Sequence, residues 1–319
     1  MVSYNKIGIV GAGCYGTAIA RCFSSKAKEI LLVSDVKIIT SLINKFHANI
    51  KALCGTALSA NVSCTDRFSD ICDVDIVFVT VPTAATAKVF AQMAEYKIKA
   101  PAVLCSKGFD IENGCLQSDL FEKISGKNYA VFSGPSFAEE IADGLPAEVN
   151  IASPNGELSR KIAESLSSFV FKITPLDDYR GLQTIGALKN VLAVGCGIFS
   201  GLKLGNSAVA RLITDGLKEA AKLIVLLGGK ETTLAEAGGI GDVILTCAGR
   251  KSRNILFGEH LAAGGNVASW NGPLAEGASA AKMIPIFERK YDVRLKVFSG
   301  IYKAIYENRC LFEIVSEII

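Results

Sequence analysis

The sequence contains few of the residues on which metal binding and proton transfer most often depend. Only two of its 319 residues are histidines, and neither is spaced from cysteine or carboxylate side chains as metal ligands are. The ten cysteines form no C-x-x-C pair, which is typical of reduced thiols that pack as small apolar groups. We therefore expect no metal site and a proton donor other than histidine.

Charge and hydropathy argue against two further classes of protein. The formal net charge is +3, and no basic cluster is interleaved with aromatic residues, so we expect no nucleic-acid partner. The longest apolar runs are shorter than the roughly 18 residues of a membrane span, so we expect no membrane insertion. Met1–Lys6 has no signal-peptide pattern, which favours a cytoplasmic location. The length is sufficient for about two domains.

A glycine-rich turn lies near the start of the chain, between a predicted strand and a predicted helix. The strand is Lys6–Val10, the helix is Thr17–Phe23, and the turn carries glycine at positions 11, 13 and 16. This G-x-G-x-x-G pattern allows a tight turn, close approach of backbone N–H groups to a pyrophosphate, and close helix–strand packing. It predicts dinucleotide binding by Gly11, Gly13 and Gly16, with a purely structural turn as the alternative.

An acidic residue ends the next predicted strand, Glu29–Ser34. This residue is Asp35, about 20 residues after the last glycine of the turn. A carboxylate there accepts hydrogen bonds from ribose hydroxyls and repels a 2′-phosphate, so Asp35 favours NAD over NADP. The alternative is that Asp35 is a turn residue without contact to the cofactor.

Strand-like and helix-like segments continue to alternate up to about residue 180. The strands are Val74–Val81, Ala102–Cys105 and Tyr129–Phe132, and the helices between them include Ala84–Tyr96 and Gly114–Ile124. Such alternation predicts an α/β fold with a doubly wound parallel sheet of Rossmann-like type. Lys107 and Ser136 follow predicted strands, where such sheets bind ligands. For Lys107 a solvated loop position is an equally good interpretation.

The alternation stops after Asp178, and the rest of the chain has helical patterns only. We therefore predict a dinucleotide-binding domain over residues 1–180, followed by an all-helical substrate and catalytic domain over residues 181–319. The apolar composition of the helical half is compatible with a homodimer.

One lysine, Lys189, precedes a charge-free run in this helical half. The run, Val191–Leu202, is apolar on every side and predicts a helix that is buried all round and starts near Lys189. Burial would lower the pKa of the lysine from its usual value of about 10.4 and make it a usable general acid or base. The alternative is that Lys189 extends from the helix start to the surface.

Two further segments of the helical half present polar groups. Ala237–Asp242 is a glycine-rich turn that ends in one carboxylate, and Ser252, Arg253 and Asn254 stand just before a predicted helix. A guanidinium, a hydroxyl and an amide beside a helix start are suited to binding phosphate. Taken alone, Asp242 could equally be a turn residue and Arg253 a surface arginine.

Together these segments resemble bacterial NAD(P)-dependent glycerol-3-phosphate dehydrogenases over nearly the whole chain. The matching motifs are Gly11–Ala18, Ser106–Gly108, Ser133–Glu140, Gly186–Asn190, Gly239–Cys247, Ser252–Asn254 and Leu274–Gly277. The resemblance implies hydride transfer with NAD(P)H between sn-glycerol 3-phosphate and dihydroxyacetone phosphate, which supplies the glycerol backbone of phospholipids. It implies Lys189 as proton donor and acceptor, with Lys107 and Asp242 as further catalytic groups.

The resemblance also implies which residues bind the ligands. The substrate-binding positions are Lys107, Gly134, Ser136, Lys189, Asp242, Ser252, Arg253 and Asn254. The cofactor-binding positions, besides the three glycines and Asp35, are Cys14, Tyr15, Lys107, Ala138, Arg253, Leu274 and Glu276.

Some positions depart from the family pattern. Ser34-Asp35 stands where a basic residue is frequent, Gln183 replaces a usual glutamate, Ile185 a frequent glycine and Asp215 a frequent arginine. These departures leave every proposed catalytic group in place, but they bear on cofactor choice, packing or regulation. Two other functions remain open: a dehydrogenase for another small phosphorylated or acidic 2-hydroxy compound, and a non-catalytic dinucleotide sensor.

Overall fold

The computed structural model describes residues 4–249, 252–307 and 309–319. The first three residues, on which the prediction about the N-terminus partly depends, lie outside the described residues. The chain divides into two compact units. The first unit extends to Ser106 and resumes over Gln117–Tyr179, and the second consists of Lys107–Leu116 and Arg180–Ile319.

Ten strands are present in the described residues. They are β1 (Tyr4–Val10), β2 (Ala27–Val33), β3 (Val62–Thr65), β4 (Ile76–Val79), β5 (Ala102–Leu104), β6 (Phe109–Asp110), β7 (Cys115–Leu116), β8 (Tyr129–Ser133), β9 (Ala147–Ala152) and β10 (Phe171–Leu176). Eight of them form the sheet of the first unit, in the order β10-β9-β8-β5-β4-β1-β2-β3. The remaining two, β6 and β7, form an antiparallel hairpin in the second unit.

Fourteen α-helices are present in the described residues. They are α1 (Cys14–Phe23), α2 (Lys37–Phe46), α3 (Thr86–Glu95), α4 (Gln117–Ser125), α5 (Ala138–Ala142), α6 (Gly156–Leu166), α7 (Tyr179–Gly201), α8 (Asn206–Leu226), α9 (Asp242–Ala248), α10 (Arg253–Ala262), α11 (Glu276–Ala281), α12 (Ile284–Tyr291), α13 (Lys296–Tyr306) and α14 (Leu311–Ile318). The predicted order, an α/β sheet followed by helices, is confirmed.

The sheet of the first unit is parallel except at one junction. The strand β4 is buried along its whole length, as expected for a strand covered on both faces. The predicted parallel sheet has one exception at β9, which pairs antiparallel with β8 through Val131 opposite Ala152 and Ser133 opposite Asn150. The strand β10 then pairs parallel with β9. The apolar pattern of β8 and β9 does not indicate whether they pair parallel or antiparallel, because the same side chains are buried in both arrangements.

The segment after β5 also differs from its predicted structure. A helix over Gly114–Ile124 is wrong at its start, because Cys115 and Leu116 form β7 and the helix begins at Gln117. The turn between β6 and β7 includes Gly114 with φ of 63°, a left-handed conformation that glycine adopts at no steric cost.

The core of the second unit is built around α7. This helix has 23 residues, and its side chains from Gly181 to Phe199 are all buried. Among the described residues it is the one helix long and apolar enough to cross a membrane, but it lies inside the protein. The predicted burial on every side is confirmed, whereas the expected start near Lys189 is wrong. Lys189 is the eleventh residue of α7 and lies at its middle.

The helices α7 and α10 approach each other closely. A Cβ atom on Gly197 would lie 2.1 Å from the carbonyl oxygen of Ile255, and one on Gly258 would lie 2.2 Å from that of Val194. Only glycine permits this backbone contact at either position. The contact fixes the start of α10, and with it Ser252–Asn254, relative to the middle of α7.

Candidate active site

A buried lysine–aspartate pair lies in the core of the second unit. Lys189 Nζ is 2.5 Å from Asp242 Oδ1 and donates a second hydrogen bond to Thr246 Oγ1 at 2.7 Å. The side chains of Lys189 and Asp242 are 6% and 1% exposed. Asp242 is the first residue of α9, and Thr246 follows one helical turn later on the same face. Two side chains of α9 thus hold the ammonium group that α7 supplies.

A second lysine shares the same carboxylate. Lys107 lies two residues before the start of β6, and its Nζ lies 2.7 Å from Asp242 Oδ2. Its side chain is 20% exposed, so this ammonium group is more accessible to solvent than that of Lys189. One carboxylate faces two ammonium groups, so the cluster carries one excess positive charge when both lysines are protonated. Such a charge favours an anionic ligand or a developing oxyanion.

The position of Lys189 changes its acidity. Burial lowers the pKa of Lys189 from its ordinary value to about 8, and the nearby charge of Lys107 acts in the same direction. The carboxylate of Asp242 opposes both effects by stabilising the ammonium form. A group with a pKa near 8 exists in both protonation states close to physiological pH, as a general acid and base requires.

A chain of amide hydrogen bonds surrounds this pair. Asn190 Nδ2 donates to the carbonyl oxygen of Lys107 at 3.0 Å, and Asn254 Nδ2 donates to Asn190 Oδ1 at 3.0 Å. Asn254 Oδ1 accepts from the N–H of Gly277 at 3.0 Å. Both asparagine side chains are buried. The chain connects the hairpin, α7, α10 and α11, and it holds the backbone of Lys107 beside Asp242.

The sequence analysis missed Thr246 and the linking role of Asn190. The spacing of four residues from Asp242 to Thr246 on a helix was a usable signal for the first. No local signal exists for the second, because the partners of Asn190 come from segments 83 and 64 residues away.

The three residues at the start of α10 differ in exposure. Ser252 caps the helix, and its Oγ accepts a long hydrogen bond of 3.4 Å from the N–H of Ile255. Arg253 is exposed, whereas Ser252 and Asn254 are buried. The exposed guanidinium beside a helix start is compatible with the predicted phosphate contact.

The predicted cofactor positions of the second unit lie around the start of α11. Glu276 is its first residue and is half-buried, and Leu274 is 50% exposed. The hydrogen bond from Gly277 to Asn254 joins this segment to the amide chain described above.

The glycine loop of the first unit, residues 11–16, has the backbone that a pyrophosphate requires. A Cβ atom on Gly16 would lie 1.9 Å from the carbonyl oxygen of Gly11, so the loop closes only with glycine there. A Cβ atom on Gly13 would meet nothing within 4 Å, so the backbone at this residue faces open space. The first turn of α1 has no side-chain cap and no acidic residue. The N–H groups at this helix start and the open surroundings of Gly13 fit a dinucleotide phosphate.

The other predicted positions of the first unit lie near this loop or at strand ends. Tyr15 Oη lies 3.4 Å from Ser136 Oγ, and Ser136 donates a hydrogen bond to the carbonyl oxygen of Gly134 at 2.9 Å. Ala138 begins α5, which packs against α1. The structure therefore brings Tyr15, Gly134 and Ser136 together. Asp35 follows β2 and is exposed.

The departures from the family pattern in the second unit lie on α7 and α8. Gln183 and Ile185 are buried within α7, two turns or less before Lys189. Asp215 lies on α8, where it pairs with Lys218 at 2.8 Å and Arg211 at 3.7 Å. Asp215 thus takes part in a partly exposed ion-pair cluster.

Comparison with known families covers nearly the whole chain. Residues 6–159 match the model of the NAD-dependent glycerol-3-phosphate dehydrogenase N-terminus. Residues 178–316 match the model of the C-terminus of the same family.

Individual proteins are similar over similar lengths. A glycerol-3-phosphate dehydrogenase [NAD(P)+] of Caulobacter vibrioides is 34% identical, over 94% of this chain and 92% of the relative. One of Ehrlichia ruminantium is 35% identical, over 98% of this chain and 99% of the relative. A crystal structure of glycerol-3-phosphate dehydrogenase from Coxiella burnetii has a TM-score of 0.93 and 29% identity, with 98% of both chains covered.

Proposed function

Because this chain belongs to the NAD-dependent glycerol-3-phosphate dehydrogenase family, we propose that it interconverts sn-glycerol 3-phosphate and dihydroxyacetone phosphate with NAD(P)H. The observation that carries the proposal is the buried Lys189–Asp242 pair with the lowered pKa of Lys189. A protein that only bound a dinucleotide would gain nothing from an ammonium group held at a pKa near 8 by burial. The product supplies the glycerol backbone of phospholipids.

The residues that would hold the cofactor are those of the glycine loop. Gly11, Gly13 and Gly16 shape the backbone, and the N–H groups at the start of α1 receive the pyrophosphate, with Cys14 and Tyr15 beside it. When bound, NAD(P)H supplies the hydride for the carbonyl carbon. From the family pattern we also assign Ala138 to the cofactor in the first unit, and Arg253, Leu274 and Glu276 in the second.

The proton of the reaction is assigned to Lys189. In the reductive direction Lys189 Nζ protonates the oxygen that forms at C2 of dihydroxyacetone phosphate, and in the oxidative direction it removes the proton from that hydroxyl. Hydrogen bonds to Asp242 and Thr246 fix the position of the ammonium group. The group therefore loses less conformational entropy when the transition state forms. Since the pKa of Lys189 is about 8, both directions are available near neutral pH.

Lys107 and Asp242 have electrostatic roles in this proposal. The two lysines facing one carboxylate leave an excess positive charge that stabilises the developing alkoxide. Asp242 keeps Lys189 from losing its proton too easily, because its charge raises the pKa that burial lowers. Lys107 is accessible enough to contact the substrate or the cofactor directly.

Substrate binding is assigned within each unit separately. In the second unit, Ser252, Arg253 and Asn254 bind the phosphate through the start of α10. Phosphate binding supplies energy that orients the reacting carbonyl. In the first unit, Gly134 and Ser136 are the substrate positions, and their hydrogen bond makes Ser136 a fixed hydroxyl.

Three narrower parts of the proposal come from the sequence alone. Asp35 supports a preference for NAD over NADP, because its exposed carboxylate would repel a 2′-phosphate. The homodimer and the cytoplasmic location stay predictions, and sedimentation of the purified protein tests the first of them.

The test follows the loss of reduced-cofactor absorbance with dihydroxyacetone phosphate, with NADH and NADPH in parallel. We expect rapid oxidation, faster with NADH. The proposal would be contradicted by folded protein that binds NADH but does not oxidise it when dihydroxyacetone phosphate is present. Screening of other phosphorylated or acidic 2-oxo compounds would then distinguish a different dehydrogenase from a sensor.

A further inference from the structure

A buried asparagine outside every motif discussed above lies against the glycine loop. Asn49 is fully buried, three residues after the end of α2. Its Nδ2 donates one hydrogen bond to the carbonyl oxygen of Ala12 and one to Thr17 Oγ1, both at 2.9 Å. A single amide therefore connects the middle of the glycine loop to α1. The sequence analysis gave this residue no role.

The segment that carries Asn49 is itself firmly held. We call residues 47–58 the bracing loop. The N–H of Leu58 donates to the carbonyl oxygen of His47 at 2.7 Å, which closes the loop at its base. Arg21, on α1, donates to the carbonyl oxygen of Ala57 at 2.5 Å. Hydrogen bonds at both ends of the bracing loop thus keep Asn49 at a fixed distance from α1.

The hydrogen bond to Ala12 determines the direction of a neighbouring donor. The carbonyl of Ala12 and the N–H of Gly13 belong to one trans peptide, in which they point in opposite directions. With the carbonyl held by Asn49, the N–H of Gly13 must point away from Asn49. Gly13 is exposed, and a Cβ atom there would meet nothing within 4 Å. The N–H of Gly13 therefore points away from Asn49, at a residue that is exposed, before any ligand arrives.

The chemistry of the site requires an amide. The carbonyl oxygen of Ala12 and Thr17 Oγ1 both accept hydrogen bonds from Nδ2, so the side chain at position 49 must be a donor. Asn49 Oδ1, in contrast, is buried without a hydrogen-bond partner among the described residues. A carboxylate at this position would place an acceptor against the carbonyl of Ala12. The unpaired Oδ1 is a cost that the two donated bonds must offset.

We propose that Asn49 is a positioning residue for the cofactor, which fixes the peptide between Ala12 and Gly13 so that its N–H is directed at the bound pyrophosphate. The proposal rests on the proposed function, because it assumes that the glycine loop binds the dinucleotide. It adds a residue from the bracing loop, distant in sequence from the G-x-G-x-x-G pattern, to the groups that determine cofactor affinity.

The experiment measures the dissociation constant of NADH for the whole protein without substrate, by fluorescence titration. The variant Asn49→Ala removes both donors, and we expect NADH to bind about tenfold more weakly. In the dehydrogenase assay the KM for NADH should rise similarly, with kcat at saturating NADH and the KM for dihydroxyacetone phosphate nearly unchanged. A merely structural role would not produce this split.

A matched control, Asn61, lies at the other end of α1. Asn61 Nδ2 donates to the carbonyl oxygens of Ser24 and Ala27 at 2.8 and 3.0 Å, beyond the end of α1. The variant Asn61→Ala removes the same chemical groups from the same unit. We expect it to lower the unfolding temperature while NADH binding stays within about twofold.

Three outcomes decide the matter. Weaker NADH binding by Asn49→Ala but not by Asn61→Ala supports the proposal, and so does faster amide hydrogen exchange over residues 11–16 in Asn49→Ala alone. Unchanged binding by a folded Asn49→Ala variant overturns it. Failure of the wild-type protein to bind NADH would instead contradict the proposed function.

A second variant covers the case in which Asn49→Ala does not fold. Thr17→Val keeps the shape of a buried side chain and removes one of the two acceptors of Asn49. Because the bond to Ala12 remains, we expect a smaller loss, about threefold in NADH affinity. An unchanged affinity in this variant would then count against the proposal.

Discussion

The two units present their proposed ligand-binding groups in opposite ways. In the glycine loop the donors are backbone N–H groups on an open surface, and the side chains that contact the loop, such as Asn49, hold it in place. In the lysine cluster the chemistry depends on charged side chains, and Lys189 and Asp242 are almost completely buried. Only proline among the substitutions removes a backbone donor, whereas almost any substitution removes a buried charge. We therefore expect substitutions in the loop to change affinity and those in the cluster to change turnover.

The sharpest test of this comparison is removal of the ammonium group by Lys189→Ala. We expect kcat to fall by roughly 10²–10⁴, the usual scale of general acid–base catalysis, with NADH binding changed by no more than a few-fold. Steady-state kinetics and NADH titration measure the two effects. Lys127→Ala, at a lysine that is 78% exposed, is the control. If Lys189→Ala kept nearly full turnover, Lys189 would not be the proton donor of the reaction.

Substitution of the shared carboxylate should have the next largest effect. In the reductive direction the protonated form of Lys189 is active, so kcat/KM should fall as the pH rises through about 8. In Asp242→Asn the pKa of Lys189 loses the charge that raises it. We expect kcat/KM for dihydroxyacetone phosphate to fall about 10–100-fold at neutral pH.

The pH profile of the same variant separates this effect from a loss of structure. The decline in reductive activity should move to lower pH in Asp242→Asn, whereas oxidation of glycerol 3-phosphate should begin at lower pH. Circular dichroism checks that the variant is folded. A profile at the wild-type position would show that Asp242 does not control the acidity of Lys189.

In the glycine loop, Gly13→Ala should weaken binding without loss of stability. A Cβ atom at this position meets no protein atom within 4 Å, so the fold tolerates it, but it would occupy space that the pyrophosphate needs. We expect about a tenfold higher dissociation constant for NADH and an unchanged unfolding temperature. Gly156→Ala, where the added Cβ would lie 3.5 Å from Arg160 Nη1 in an ordinary contact, is the control. A large effect on kcat would contradict the division between the two units.

The smallest expected effect concerns cofactor choice. Replacing the exposed carboxylate in Asp35→Ser should increase the use of NADPH relative to NADH by about threefold to tenfold, because the repulsion of a 2′-phosphate disappears. Parallel assays with both cofactors measure the ratio. Asp66→Ser, at the exposed residue directly after β3, is the matched control. An unchanged ratio would assign Asp35 to the turn alone.

Local patterns were sufficient to predict the elements and much of the candidate site. The apolar runs identified the strands of the first unit, and the charge-free run after Lys189 identified the buried helix. Both could be predicted because an element that is buried on every side consists mainly of apolar residues. The start of α7 was wrong by ten residues, because Gln183 and other polar residues in its first turns are buried, and a polar residue leaves no apolar signal in the sequence.

Features that depend on distant partners could not be predicted from local patterns. The reversed direction of β9 involves the order of chain segments rather than their composition. The grouping of Lys107–Leu116 with the second unit arises from contacts with residues more than 70 positions later in the chain, such as Asp242. The linking role of Asn190 and the support from Asn49 have the same origin. In each case an ordinary polar residue gains its role from a partner brought near by folding.

The central position of Lys189 in α7 has a consequence for the chain during its synthesis. Before the second unit has formed, Tyr179–Gly201 is a 23-residue segment with the length and hydropathy that membrane-insertion machinery accepts. A lysine at the centre of such a segment opposes insertion by about 2.5–3.5 kcal/mol. The side chain assigned to proton transfer in the folded protein therefore also makes the unfolded segment less favourable for membrane insertion, and Lys189→Leu would remove that cost together with the proton donor.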